Sequence, residues 1–251
     1  MRKHIPNMLT CLNLLSGAFG VYFLLTVGQE ASASSALSAC FAQSGIELRQ
    51  IVLICVCCSA VFDFLDGFVA RLLGVSSPVG KELDSLADLV SFGMLPTVAA
   101  FKMISGNLAA ESLPSNIKVL VECVVWLMLA FSALRLAKFN VDDRQTSSFI
   151  GLATPANALF WVGLFYSGIY NALPWWALLL LVFLFCFMLV CELPMFSFKI
   201  HSLRWVEAKF QILLLMGSLG MILSYGFAGL SLAIIWYIFL SLLKFLLERG
   251  K

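Results

Sequence analysis

Asp63-Phe64-Leu65-Asp66-Gly67-Phe68-Val69-Ala70-Arg71, eight further residues, then Gly80-Lys81-Glu82-Leu83-Asp84-Ser85-Leu86-Ala87-Asp88: this stretch decides how the chain is read. Its regularly spaced positions carry four aspartates and an arginine inside a sequence that is 61% hydrophobic. Charges in or near hydrocarbon are costly and persist where they bind ions or do chemistry. On a helix of 3.6 residues per turn, Asp63, Asp66, Gly67 and Ala70 fall at i, i+3, i+4 and i+7, one face. Gly80, Asp84 and Asp88 line one face of the next helix in the same way. Two helices meeting along these faces would bring four carboxylates into a small volume, where they repel one another. A divalent cation with a preference for hard oxygen ligands resolves that conflict.

Working outward, only 12% of the 251 residues are charged and the mean hydropathy is +0.98. These values predict an all-α, polytopic membrane bundle and exclude an ordinary soluble domain. Eight apolar spans are expected, at about 8–27, 50–73, 82–105, 117–138, 152–172, 174–192, 207–226 and 229–247. The whole chain, 1–251, reads as a single integral membrane domain. The Lys and Arg residues divide unevenly between the two sides. Arg2, Lys3, Arg71, Lys81, Arg135, Lys138, Arg144, Lys199, Arg204, Lys209, Lys244, Arg249 and Lys251 fall on one face; Arg49, Lys102 and Lys118 fall opposite. The positive-inside rule then puts both termini and the aspartates on the cytoplasmic side. The first span is expected to be retained as a helix, and 28–49 to form an external loop rich in Ala and Ser. The eight cysteines lie mostly within apolar spans and read as small packing residues. His4 and His201 stand alone at opposite ends of the chain, neither one a persuasive base or ligand.

The pattern D-x2-D-G-x2-A-R-x8-G-x3-D-x3-D resembles the signature of the CDP-alcohol phosphotransferase family at every fixed position. The competing reading is a cation-coupled transporter with an acidic pathway. A transporter has no need of Gly67 and Ala70 beside the carboxylates, whereas a nucleotide lying close to the backbone does. Further stretches resemble the bacterial phosphatidylserine synthase branch of that family. They are the N-terminal run from Pro6-Asn7 through Thr10 and Asn13, Phe92-Gly93-Met94-Leu95-Pro96, Arg135-Leu136-Ala137-Lys138-Phe139-Asn140, and Phe149 to Ala156. Two departures stand out: Lys138 where Arg is usual, and Ala153 where Pro is usual. The resemblance covers about 5–195, which would be the catalytic core, and leaves the helix pair at about 207–247 to bulk packing.

The resemblance implies transfer of a phosphatidyl group from CDP-diacylglycerol to L-serine, with release of CMP. Glycerol 3-phosphate or inositol phosphate are the alternative acceptors. It implies Mg²⁺ or Mn²⁺, two ions, held by Asp63, Asp66, Asp84 and Asp88, with Asp88 also the general base. Asn7, Thr10, Gly67, Arg71 and Ser77 would meet the liponucleotide. Arg135, which can bind a carboxylate bidentately, would hold serine. The partners are then the two substrates and the membrane lipids of a bacterial-type cytoplasmic membrane, with no nucleic acid; a homodimer is left open.

Overall fold

The structure, a computed structural model, describes residues 4–26, 47–75, 77–142, 149–195 and 205–249. Much of the expected external loop, together with Arg2, Lys3, Arg144, Lys199, Arg204 and Lys251, lies outside these residues. Among those described, helices follow the expected spans in order. They are α1 (Ile5–Thr26), α2 (Leu48–Leu73), α3 (Pro78–Asp88), α4 (Leu95–Ala109), α5 (Ser115–Val125), α6 (Leu127–Val141), α7 (Thr154–Ser167), α8 (Trp175–Val190), α9 (Trp205–Tyr225) and α10 (Gly229–Arg249). A π-helical turn, Leu89–Met94, joins α3 to α4 without a break, so the third rod runs from Pro78 to Ala109. α5 and α6 likewise form one rod. The described residues form a helical bundle of the polytopic membrane kind.

The count of crossings is less regular than expected. Among the described residues, five helical stretches are long and apolar enough to cross a membrane: Ile5–Thr26, Leu48–Leu73, Pro78–Ala109, Ser115–Val141 and Lys209–Leu247. The last of these includes the turn at Gly226–Ala228 between α9 and α10, where Gly226 has φ of +60°. α8 has 16 residues and α7 only 14, below the ~20 that span a hydrocarbon core at 1.5 Å per residue. The sequence also gave no sign of a two-residue antiparallel ladder pairing Phe149 with Met195 and Ile150 with Pro194. It ties the chain entering α7 to the chain leaving α8.

Local chemistry explains the turn that matters most. Gly74 ends α2 in the left-handed region, φ +62°, where a side chain would be strained. Ser77 then caps α3, its Oγ accepting from the Gly80 amide at 2.9 Å, and Pro78 fills the first helical position. The aspartate-bearing faces of α2 and α3 therefore fold back on one another, with α1 packed along both.

α4 is the central helix. Leu95, Val98, Ala99, Ala100, Met103 and Ile104 are completely buried, against α7 and α8 among others. In lipid, helices associate through close packing more than through a hydrophobic drive. Close approach is visible at Gly17, where an added Cβ would sit 2.6 Å from the Ser91 Cα. The opposite face of α2 carries exposed Phe64, Phe68 and Leu72, an i, i+4, i+8 stripe suited to hydrocarbon.

Candidate metal and nucleotide site

α2 and α3 do converge their carboxylates. One oxygen each from Asp63, Asp66 and Asp84 lies within 4.8 Å of the others. Asp66 is only 5% exposed, and Asp84 Oδ1 is buried with no hydrogen-bond donor. A carboxylate oxygen buried without a donor is expensive unless a cation takes that place. Three hard oxygen donors and one such orphan make a donor set that fits a divalent ion. Asp88 lies beside Asp63 at the edge of this trio, and its Oδ1 accepts from Asn13 Nδ2 at 3.1 Å.

α1 supplies the neutral donors that hold this charge. Thr10 Oγ1 donates to Asp66 Oδ2 at 2.7 Å, and also lies 3.0 Å from the Pro6 carbonyl. Asn13 is fully buried. Its carbonyl accepts from Ser59 on α2 at 3.2 Å and from Ser91 on the π-helical turn at 2.9 Å. One residue of α1 thus knots three rods immediately beneath the aspartates. The spacing of Asn7, Thr10 and Asn13 was the available signal for it.

Asp66 and Asp84, two of the trio, line a cavity of about 580 Å³. Asn7 and Thr10 face it from α1, Asp66, Gly67 and Ala70 from α2, and Gly80, Lys81 and Asp84 from α3; His4 and Ser77 also lie in its wall. The glycines have distinct uses. A Cβ on Gly80 would come within 3.1 Å of Asn7 Oδ1, so Gly80 permits the approach of α1 and α3. A Cβ on Gly67 would meet only the Arg71 guanidinium, 3.7 Å away, so Gly67 presents bare backbone to the cavity. Arg71 itself is exposed, beside Gly67 and outside the lining.

Arg135 lies elsewhere. It is 4% exposed, so it does not reach out to lipid headgroups, and its Nε donates to the Leu152 carbonyl at 3.2 Å. Its guanidinium carbon sits 5.5 Å above the Phe139 ring, a cation–π distance. It lines a second cavity of about 390 Å³, together with Lys138, Asp142 and Glu192. Glu122 pairs with Ser105 Oγ at 2.6 Å and belongs to neither cavity.

The Thr10 contact carries a prediction. Thr10→Val keeps the shape and removes the donor that orients Asp66. Loss of such a partner costs roughly 10–100-fold in metal affinity or activity. The half-saturating Mn²⁺ concentration of the variant should rise about 10-fold, measured by titrating activity or bound Mn²⁺.

The profile of the CDP-alcohol phosphatidyltransferase family matches residues 3–183, and the chain belongs to that family. Among its relatives, the CDP-diacylglycerol–serine O-phosphatidyltransferase of Methanocaldococcus jannaschii is 40% identical over 105 residues, 42% of this chain and 45% of that one. The enzyme of the same name from Helicobacter pylori is 30% identical over 156 residues, 61% of this chain and 54% of its own. That of Bacillus subtilis is 29% identical over 153 residues, 61% of this chain and 70% of its own. The chain therefore spans about half the length of the first two.

Proposed function

We propose that the protein is a CDP-diacylglycerol–serine O-phosphatidyltransferase, making phosphatidylserine and CMP at the cytoplasmic face of the membrane. The observation that carries this reading is the cluster of Asp63, Asp66 and Asp84, two of which, Asp66 and Asp84, line a cavity that Gly67 and Ala70 also face. The names of the relatives support the choice of substrates. The whole chain acts as one domain, its core at about 5–195 and the α9–α10 pair packed against it. The excess of Lys and Arg on the aspartate side supports the orientation.

The aspartates would hold Mg²⁺ or Mn²⁺, two ions when Asp88 takes part, which as Lewis acids would neutralise the pyrophosphate and favour departure of CMP. The chain's own residues do the rest. Gly67 and Ala70 let the cytidine end lie against backbone, and Arg71, Ser77 and Lys81 meet phosphate oxygens. Asn7, facing Gly80 across the cavity, contributes an amide to the same ligand. The serine hydroxyl oxygen bonds to the phosphatidyl phosphorus, the bond from phosphorus to the bridging oxygen breaks, and CMP leaves with that electron pair. Asp88, aimed by Asn13, accepts the hydroxyl proton. The acyl chains remain in the bilayer between helices.

The second cavity favours serine over a phosphorylated acceptor. Two cations, Arg135 and Lys138, face two acids, Asp142 and Glu192, a balance that suits a zwitterion better than a phosphate dianion. Arg135 would take the serine carboxylate. Arg135→Lys keeps the charge but loses the fork, and Arg135→Gln loses both. Both should raise the KM for serine far more than that for CDP-diacylglycerol, with Gln the worse. If the liponucleotide KM rises instead, Arg135 contacts phosphate.

Purified protein with CDP-diacylglycerol and Mn²⁺, offered labelled serine, glycerol 3-phosphate or inositol phosphate in parallel, tests the assignment. Label should enter lipid from serine alone. Incorporation from another acceptor in its place would move the reading to that alcohol. Cation-driven flux without CMP release would overturn it.

A further inference from the structure

Ser85 and Asn140 have no part in that chemistry, and they form a polar cluster with Lys81. Asn140 lies in the last turn of α6, where the final carbonyls of a helix have no partner of their own. The Lys81 ammonium donates to the Asn140 carbonyl at 2.9 Å, a cation at the negative end of the helix. The Asn140 side chain reaches back, its Nδ2 donating to Ser85 Oγ at 2.6 Å, while Ser85 Oγ donates to the Lys81 carbonyl at 3.2 Å. One residue of α6 therefore grips two successive turns of α3, on the face next to the one that presents Asp84 and Asp88.

This grip has no equivalent in hydrocarbon packing. α3 is held along α1 and continues into the π-helical turn. Lys81 and Ser85 give it polar ties towards α6. Lys81 also lines the first cavity, and Val141, next to Asn140, lines the second. The cluster thus joins a residue that lines the first cavity to the neighbour of one that lines the second.

We propose that Asn140 is a positioning residue: with Lys81 and Ser85 it latches α3 to the end of α6, setting the placement of Asp84 for the metal ion and the register between the two cavities. The inference rests on the reading of the aspartates as a metal site. Ser85→Ala removes the acceptor while keeping a strong helix former. Asn140→Ala removes the donor, and the double variant removes both.

Mn²⁺ binding to the detergent-purified protein, followed by electron paramagnetic resonance without any lipid substrate, reads the latch directly. Each single variant should weaken Mn²⁺ binding by about 10-fold, the lower end of losses for outer-sphere partners. The double variant should be no weaker than Asn140→Ala, because the two groups form one interaction. With Mn²⁺ saturating, kcat should fall while the KM for CDP-diacylglycerol holds. Thermal unfolding in the same samples separates this from simple loss of fold, since a merely structural role lowers the melting temperature and leaves Mn²⁺ affinity in the folded state alone. Unchanged Mn²⁺ affinity in Ser85→Ala, or single losses that multiply in the double variant, would overturn the latch. Asp84→Asn is the control: if it still binds Mn²⁺ as the parent does, the metal reading falls and the latch with it.

Discussion

Asp63→Asn, Asp66→Asn and Asp84→Asn should each lower turnover by at least about 100-fold while the protein still inserts and folds. Replacing partners that merely orient metal ligands costs roughly 10–100-fold, and these three are the groups on which such partners act. Asn keeps the shape of Asp and offers only a neutral oxygen, a poor exchange for a hard divalent ion. The fold should tolerate the change, because each substitution removes one of the like charges crowded within 4.8 Å. Asp84→Asn should be among the most severe, since Asp84 Oδ1 has no hydrogen-bond donor and is left to the proposed ion. Asp88 lies outside the trio, so Asp88→Asn should depress kcat more than Mn²⁺ affinity. Turnover and Mn²⁺ half-saturation measured across the four variants check both halves. Full activity in excess EDTA would contradict the metal assignment altogether.

Gly67→Leu is the second large effect, and it works without touching a charge. The position faces the cavity, and only the Arg71 guanidinium lies near where a Cβ would be. A leucine there should therefore fold without a clash and project into the space where the nucleotide would lie. Binding of CDP-diacylglycerol should be lost at unchanged expression and unchanged Mn²⁺ affinity. A smaller intrusion, Gly67→Ala, should give an intermediate loss. Normal turnover of the leucine variant would mean that the nucleotide lies on another face.

Much of this was legible in the sequence because the decisive information is local. Helical spacing alone places Asp63 and Asp66 on one face and Asp84 and Asp88 on another. The long apolar rods were legible for the same reason, whereas the expected crossings at α7 and α8 are helices of only 14 and 16 residues. What the sequence concealed depends on contacts between distant segments. Nothing in the run from Pro6 to Asn13 says that Thr10 binds Asp66, 56 residues away, or that Asn13 knots α1 to two other rods. The depth of Arg135 was legible from its distance to the helix end, but not its separation into a second cavity, which needs the 189–192 segment folded against α6. The short β ladder was invisible because two-residue strands carry no periodicity. Nothing in the run Arg135 to Asn140 marks Asn140 as a latch; its partners Lys81 and Ser85 lie 59 and 55 residues away.

The central claim is a metal-dependent exchange of CMP for serine on a phosphatidyl group. Purified protein in mixed micelles with CDP-diacylglycerol, Mn²⁺ and labelled serine provides the most direct test, with CMP and lipid-extracted label quantified in the same tube. The account predicts CMP and phosphatidylserine in equal amounts, neither formed in EDTA or by Asp63→Asn. CMP released without labelled lipid, or labelled lipid formed equally well by Asp63→Asn, would contradict it.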